Sequence, residues 1–281
     1  MQHIYVNFKR FDVSPEMGGV NRLAPASDYG RTVVASVLPV LEQYQDVEFA
    51  HFYPESQIPG ALAVLGGSRT LEIGCQGVYR KDVSVGGNFG AFTTSRPASA
   101  MAALGCTITI IGHCEERNDK NELLAMGGNQ DRTLVNKILN QEMRQAQKRG
   151  MKILYCIGEK AEEVDDWQAV LSEQLEIGLE GIDTKGVVIG YEPVWSIGPG
   201  KTPAGKEYIT KVARLVKQVV PGIDVVYGGG LKKDNAAMLS SIDEIDGGLI
   251  ALTRFTGEIG FYPDEYLDIV HRYLTGKGVT K

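Results

Sequence analysis

Eight short runs of β-branched and other apolar residues recur along the chain: Ile4–Asn7, Val47–Phe52, Leu71–Cys75, Ile108–Ile111, Ile153–Cys156, Val187–Tyr191, Val225–Tyr227 and Leu249–Leu252. Between them lie stretches with apolar residues three and four positions apart, clearest in Arg132–Arg149, Trp167–Leu179, Tyr208–Val219 and Tyr266–Leu274, the spacing of a helix that buries one face. Strands separated by helices call for parallel pairing. In a chain of 281 residues, eight such units fit a closed α/β barrel, (β/α)8, of about 250 residues better than an open doubly wound sheet. No low-complexity linker divides the chain, so residues 1–281 read as a single barrel domain.

A formal charge of −6 argues against a broad nucleic-acid-binding surface, and an anionic small substrate would need a dedicated pocket. The cysteines Cys75, Cys106, Cys114 and Cys156 show no CxxC spacing, and reduced thiols are expected. No basic leader opens the sequence and no window approaches the ~18 apolar residues of a membrane span, so the expectation is a cytoplasmic protein with no membrane partner.

Two segments exceed what the barrel needs. Residues 11–28, with Pro15, Gly18, Gly19 and Pro25, read as a long loop after the first strand, and residues 76–97 as another after the third. Loops that follow barrel strands lie on the catalytic face, although either could be a surface insertion that only adds bulk. The sixth run ends in Glu192, and Pro193 stops it. The loop that follows carries Gly198 and Gly200, suited to backbone movement and to offering free N–H groups to an anion.

Asn7 and Lys9, His113 and Glu192 fall at the ends of the first, fourth and sixth strands and would converge on one mouth. A carboxylate base, an imidazole donor and an ammonium are what proton transfer at carbon beside a carbonyl requires. Singly, each has an ordinary structural use: a solvated lysine, a structural histidine, a glutamate in a salt-bridge network.

The segments Asn7-Phe8-Lys9, Gly112-His113-Cys114-Glu115-Glu116-Arg117, Cys156-Ile157-Gly158-Glu159, Tyr191–Gly198, Gly200-Lys201-Thr202 and Tyr227-Gly228-Gly229-Gly230 follow one another along nearly the whole chain. In this ordered set the chain resembles the triosephosphate isomerase family, whose fold is the TIM barrel. The resemblance implies that Glu192 removes the substrate proton, that His113 acts as neutral electrophile and proton shuttle, and that Lys9 stabilises negative charge, supported by Asn7 and Glu115. Glutamate base, neutral histidine and closing loop are the arrangement that triosephosphate isomerase itself exemplifies, so these roles are carried over from it. The resemblance further implies that N–H groups around Gly198 and Gly230 grip a substrate phosphate, that the substrate is a small phosphorylated sugar, that no metal or organic cofactor takes part, and that the chain forms a homodimer through its third loop.

The chain departs from the family pattern after the last strand. Where the family carries a phosphate-contacting glycine pair, this sequence has Ala251 and Leu252, followed by Arg254. Arg254 would serve as a bidentate donor to phosphate or substrate carboxylate, or else pair with Glu258. Glu116 and Arg96 also depart from the pattern, as either a contact of their own or two unrelated surface changes.

Overall fold

The computed structural model describes residues 1–129, 131–197 and 201–281. Eight parallel strands close into a barrel in sequence order: β1 (Gln2–Asn7), β2 (Val47–Tyr53), β3 (Leu71–Cys75), β4 (Ile108–Ile111), β5 (Lys152–Ile157), β6 (Val187–Tyr191), β7 (Asp224–Tyr227) and β8 (Gly247–Ile250). The barrel closes where β8 pairs with β1, His3 opposite Gly247 and Val6 opposite Ile250.

The surrounding helices are α1 (Tyr29–Leu41), α2 (Ile58–Leu65), α3 (Ala98–Leu104), α4 (Cys114–Met126), α5 (Thr133–Lys148), α6 (Trp167–Gly178), α7 (Lys206–Val219), α8 (Ala236–Ser240) and α9 (Pro263–Gly276). The four helices expected from periodicity are all present. In α5, Val135, Leu139, Met143 and Ala146 make the buried stripe that the three- and four-residue spacing implies.

Alternation along the strands sorts the core in two. One set, including Ile4, Val6, Phe49, Ile153 and Ile189, packs outward against the helices. A second set, including Tyr5, Phe52, Ile110, Leu154, Val226 and Leu249, packs as a separate cluster inside the barrel. The same parity carries polar side chains to both ends. On β1, His3 and Asn7 share the inward face of Tyr5, one at each mouth, and Glu192 extends the inward face of Val188 one step past β6.

One strand differs from expectation. The eighth lies at Gly247–Ile250, not Leu249–Leu252, so Ala251 and Leu252 belong to the loop beyond it. A Cβ at Gly247 would stand 1.8 Å from the carbonyl oxygen of His3. A strand must be side-chain-free there to lie against β1, and Gly247 and Gly248 are the first two residues of the strand.

The first and last loops meet over the β8–β1 seam. Residues 11–28 contain two short turns, Pro15–Met17 and Ala26–Asp28. After β8 the chain forms a tongue whose sides pair antiparallel at Arg254 and Gly260. The Arg22 guanidinium donates to the carbonyl of Ile259 at 2.9 Å and lies 3.9 Å from Glu258.

Candidate active site

β4 is followed by Gly112, whose φ is +80° and at which a Cβ would stand 2.7 Å from the carbonyl oxygen of Cys156, so the turn there needs a residue without a side chain. That turn makes His113 the N-cap of α4. The Glu115 N–H donates to His113 Nδ1 at 3.3 Å, so that nitrogen carries no proton and the imidazole proton sits on Nε2. His113 Nε2 lies 3.1 Å from Oε1 of Glu192. The other Glu192 oxygen accepts the Cys114 N–H at 2.9 Å. Two donors thus hold a carboxylate whose residue is only 2% exposed.

Burial raises the pKa of Glu192, against the opposing pull of His113, the Cys114 N–H and Lys9. The Cys114 thiol is pushed up to about 12, by burial first and by Glu192 next, and stays protonated. One ligand atom each from His113, Cys114 and Glu192 lies within 4.8 Å of the others. Both oxygens of Glu192 are already engaged by N–H donors, an arrangement that suits proton transfer better than metal coordination.

Lys9 enters from β1 with φ +42°, the left-handed region that a lysine occupies only under constraint. The constraint is visible: the Lys9 N–H donates to Asn7 Oδ1 at 3.0 Å, and Gln76 Nε2 donates to the Lys9 carbonyl at 2.9 Å and to Asn7 Oδ1 at 3.2 Å. The Lys9 ammonium is bonded to Glu115. That bond holds the Glu115 carboxyl below its ordinary pKa despite the desolvation that would raise it. Asn7, Lys9, Glu115, His113 and Glu192 therefore form one connected chain across the mouth.

The β7 loop adjoins this chain. The Gly228 N–H donates to the Tyr191 carbonyl at 2.6 Å, and a Cβ at Gly228 would stand 2.7 Å from Cγ of Glu192. Gly230 has φ +94° and is half-buried, and the Leu231 N–H binds the Leu249 carbonyl, tying this turn to β8. Ala251 and Leu252, half-buried, follow directly. Gly198 lies outside the described residues. The start of its loop is anchored: Trp195 Nε1 donates to Glu159 Oε1 at 2.6 Å, beside the hydroxyls of Tyr191 and Tyr208 on the same oxygen.

Arg254 does not pair with Glu258. Its guanidinium makes two bonds to Oε1 of Glu265, on α9, and lies 3.8 Å from the Tyr262 ring centroid. The tongue brings α9 closer to Arg254 than its sequence neighbour, and Glu258 faces Arg22 instead. Within the chain no ion pair joins Arg96 to Glu116. Glu116 accepts the Gly112 N–H at 2.6 Å and binds Lys120 at 2.6 Å. Two supporting residues were given no role by the sequence, although Arg117 closes one of the motif segments. Gln76 is a loop glutamine among polar neighbours, and buried Arg117 ties the Gly112 and Cys156 carbonyls to Tyr155 and Asn136 behind the site.

A parallel (β/α)8 barrel whose mouth gathers a buried carboxylate, an Nε2-protonated histidine and a constrained lysine belongs to the class that carries acid–base sites at its strand ends. A family profile described as triosephosphate isomerase matches residues 27–258. A triosephosphate isomerase of Acaryochloris marina is 32% identical over 79% of this chain and 86% of its own length. One from Chlorobium phaeovibrioides is 38% identical over 57% of this chain; the match spans only 64% of that relative, as it does for the Pelodictyon phaeoclathratiforme protein at 35% identity. The solved triosephosphate isomerase of Bartonella henselae superposes with a TM-score of 0.69 at 22% identity, covering 97% of this chain and 98% of that one, a likeness of fold. The chain belongs to the triosephosphate isomerase family. No helix among the described residues is long and apolar enough to cross a membrane.

Proposed function

We propose that the chain is a cofactor-independent isomerase that interconverts the aldose and ketose forms of a small phosphorylated sugar through an enediolate. Glyceraldehyde 3-phosphate and dihydroxyacetone phosphate are the leading pair. The observation that carries this reading is the 3.1 Å approach of His113 Nε2 to the buried Glu192 carboxylate. A substrate carbonyl entering between them would accept the Nε2 proton's hydrogen bond while Glu192 takes the proton from the adjacent carbon. The electron pair of that C–H bond moves into an enediolate, whose charge His113 and the Lys9 ammonium offset. Shuttling of the hydroxyl proton by His113 and return of the carbon proton from Glu192 to the neighbouring carbon complete the exchange with no net redox change.

Solvent-deuterium incorporation across a panel of three- to six-carbon sugar phosphates tests this directly. Exchange and turnover on triose phosphates, abolished in Glu192→Gln, support the reading; binding with no exchange or turnover across the whole panel would make the chain a silent binder. Ala251, Leu252 and the tongue after β8 favour a second reading, a related ketose phosphate such as a four-carbon one. Strong turnover there with none on trioses would establish it.

The same reading makes the chain a single barrel domain acting in the cytoplasm as a homodimer. Val85 and Phe89, both almost wholly exposed in the third loop, suit a segment that enters a second copy. Light scattering that shows only monomers would reject that assembly.

A further inference from the structure

The phosphate end of the mouth needs positive charge, and the last loop does not supply it: its arginine, Arg254, is committed to Glu265 and Tyr262. The β7 loop carries two lysines that behave differently. Lys233 lies 3.2 Å from Asp268. Lys232 makes no ion pair among the described residues, yet it is half-buried. Its side chain folds back over the turn, with Cε 3.2 Å from where a Gly230 Cβ would stand, and its ammonium sits 4.0 Å from the centroid of the Phe255 ring in the tongue.

This placement is fixed at both ends. The Lys232 N–H donates to Asn235 Oδ1 at 2.8 Å, and Asn235 Nδ2 donates to the Gly230 carbonyl at 2.9 Å, locking the backbone from which the side chain starts. At the other end the negative face of Phe255 attracts the cation without accepting its protons, so the N–H donors remain free for an anion. Burial lowers the pKa of Lys232, with Asp234 opposing weakly, and a bound anion would relieve that cost.

We propose that Lys232, held against Phe255 beside Gly230, binds the substrate phosphate through its side chain. It takes the part that close backbone approach plays where a last loop carries glycines rather than Ala251 and Leu252. The assignment rests on the sugar-phosphate reading above and names the residue that selects a phosphorylated substrate at that site.

Inorganic phosphate is the probe, measured by calorimetry and as a competitor of the best substrate in the panel. Replacing Lys232 by Gln removes a charge-assisted hydrogen bond and should weaken phosphate binding and raise KM by about tenfold to a hundredfold, with kcat held within about threefold. Lys232→Arg should recover most of the loss, and Phe255→Leu should fall between. Unchanged phosphate affinity and KM in Lys232→Gln overturns the assignment. So does a wild type that does not bind phosphate, or a loss that arginine fails to recover and a lowered melting temperature accompanies. Lys232-dependent phosphate binding without turnover of any sugar phosphate would leave the assignment standing and remove the isomerase reading. Normal turnover indifferent to Lys232 would do the reverse.

Discussion

The two mouths of the barrel are built from the same inward strand positions and treat charge in opposite ways. At the N-terminal mouth, His3 lies 3.1 Å from Glu48 and 2.8 Å from Asp224. Tyr5 also binds Glu48, and Lys152 bridges Glu48 to Glu72. At the C-terminal mouth Glu192 is more deeply buried but has a histidine and one backbone N–H for company. Burial would raise the pKa of both glutamates. At Glu48 the bonds from His3, Lys152 and Tyr5 outweigh it and the pKa falls to about 2, whereas at Glu192 burial prevails. At one mouth charged partners outweigh burial and hold the carboxylate ionised; at the other, two N–H donors do not outweigh it, which is what the proposed proton transfer would need.

The comparison breaks most sharply at Glu192. Glu192→Gln removes the base and leaves an amide NH2 facing one of the two N–H donors, so turnover on the best substrate should fall by about a hundredfold to ten-thousandfold. His113→Gln should lower kcat on a similar scale, near a hundredfold, with little change in folding. Glu48→Gln should do the opposite, costing about 3 kcal/mol in denaturant unfolding by leaving His3 and Lys152 short of a partner, while kcat stays near wild type.

The pH dependence should separate the two ends. Against desolvation, Asp224 and Glu48 raise the pKa of His3 above 6.5. Its stabilisation is therefore full below that value and is lost as pH rises through the folded pKa. Glu48 contributes stability above its ordinary 4.5 that is lost as pH falls toward about 2. Glu192, with a raised pKa, favours the folded state most when protonated, and that share is lost as pH rises through its folded value. Urea midpoints should thus show the N-terminal network strongest in mildly acid solution, and Glu48→Gln should flatten the acid side. The acid limb of kcat/KM should lie above the ordinary carboxylate range and vanish with Glu192. The smallest effect expected is at Gln76: its replacement by Ala frees the Lys9 turn and should cost about tenfold in kcat/KM, less than loss of a group that handles the proton.

How far the sequence foretold this depends on the kind of signal each residue carries. Strands one to seven were legible because a parallel sheet buried on both faces selects apolar, β-branched runs. The eighth was displaced because Gly247 and Gly248 meet a close-approach requirement that has no local signature. Asn7, Lys9, His113 and Glu192 were legible as chemically capable residues at strand ends, while Glu115 and the proposed roles came from the family pattern. Gln76, Arg117 and Lys232 act by reaching across to other elements, and a single position shows nothing of that reach. Arg254 taught the same lesson in reverse: its partner is Glu265, which only the folding-back of the tongue brings near. The N-terminal cluster was within reach, since stepping by two from Tyr5 leads to His3.

The clasp between Arg22 and the tongue bears on how the barrel assembles. Pairing His3 with Gly247 joins nearly the two ends of the chain, and closing a loop of that length costs about 5 kcal/mol of chain entropy. Loops that already embrace across the seam hold the last strand near the first while its backbone bonds form and hinder the seam from parting afterwards. An ornament at the rim thereby becomes a latch on the whole cylinder, felt in the rate at which the ring opens as much as in what it admits.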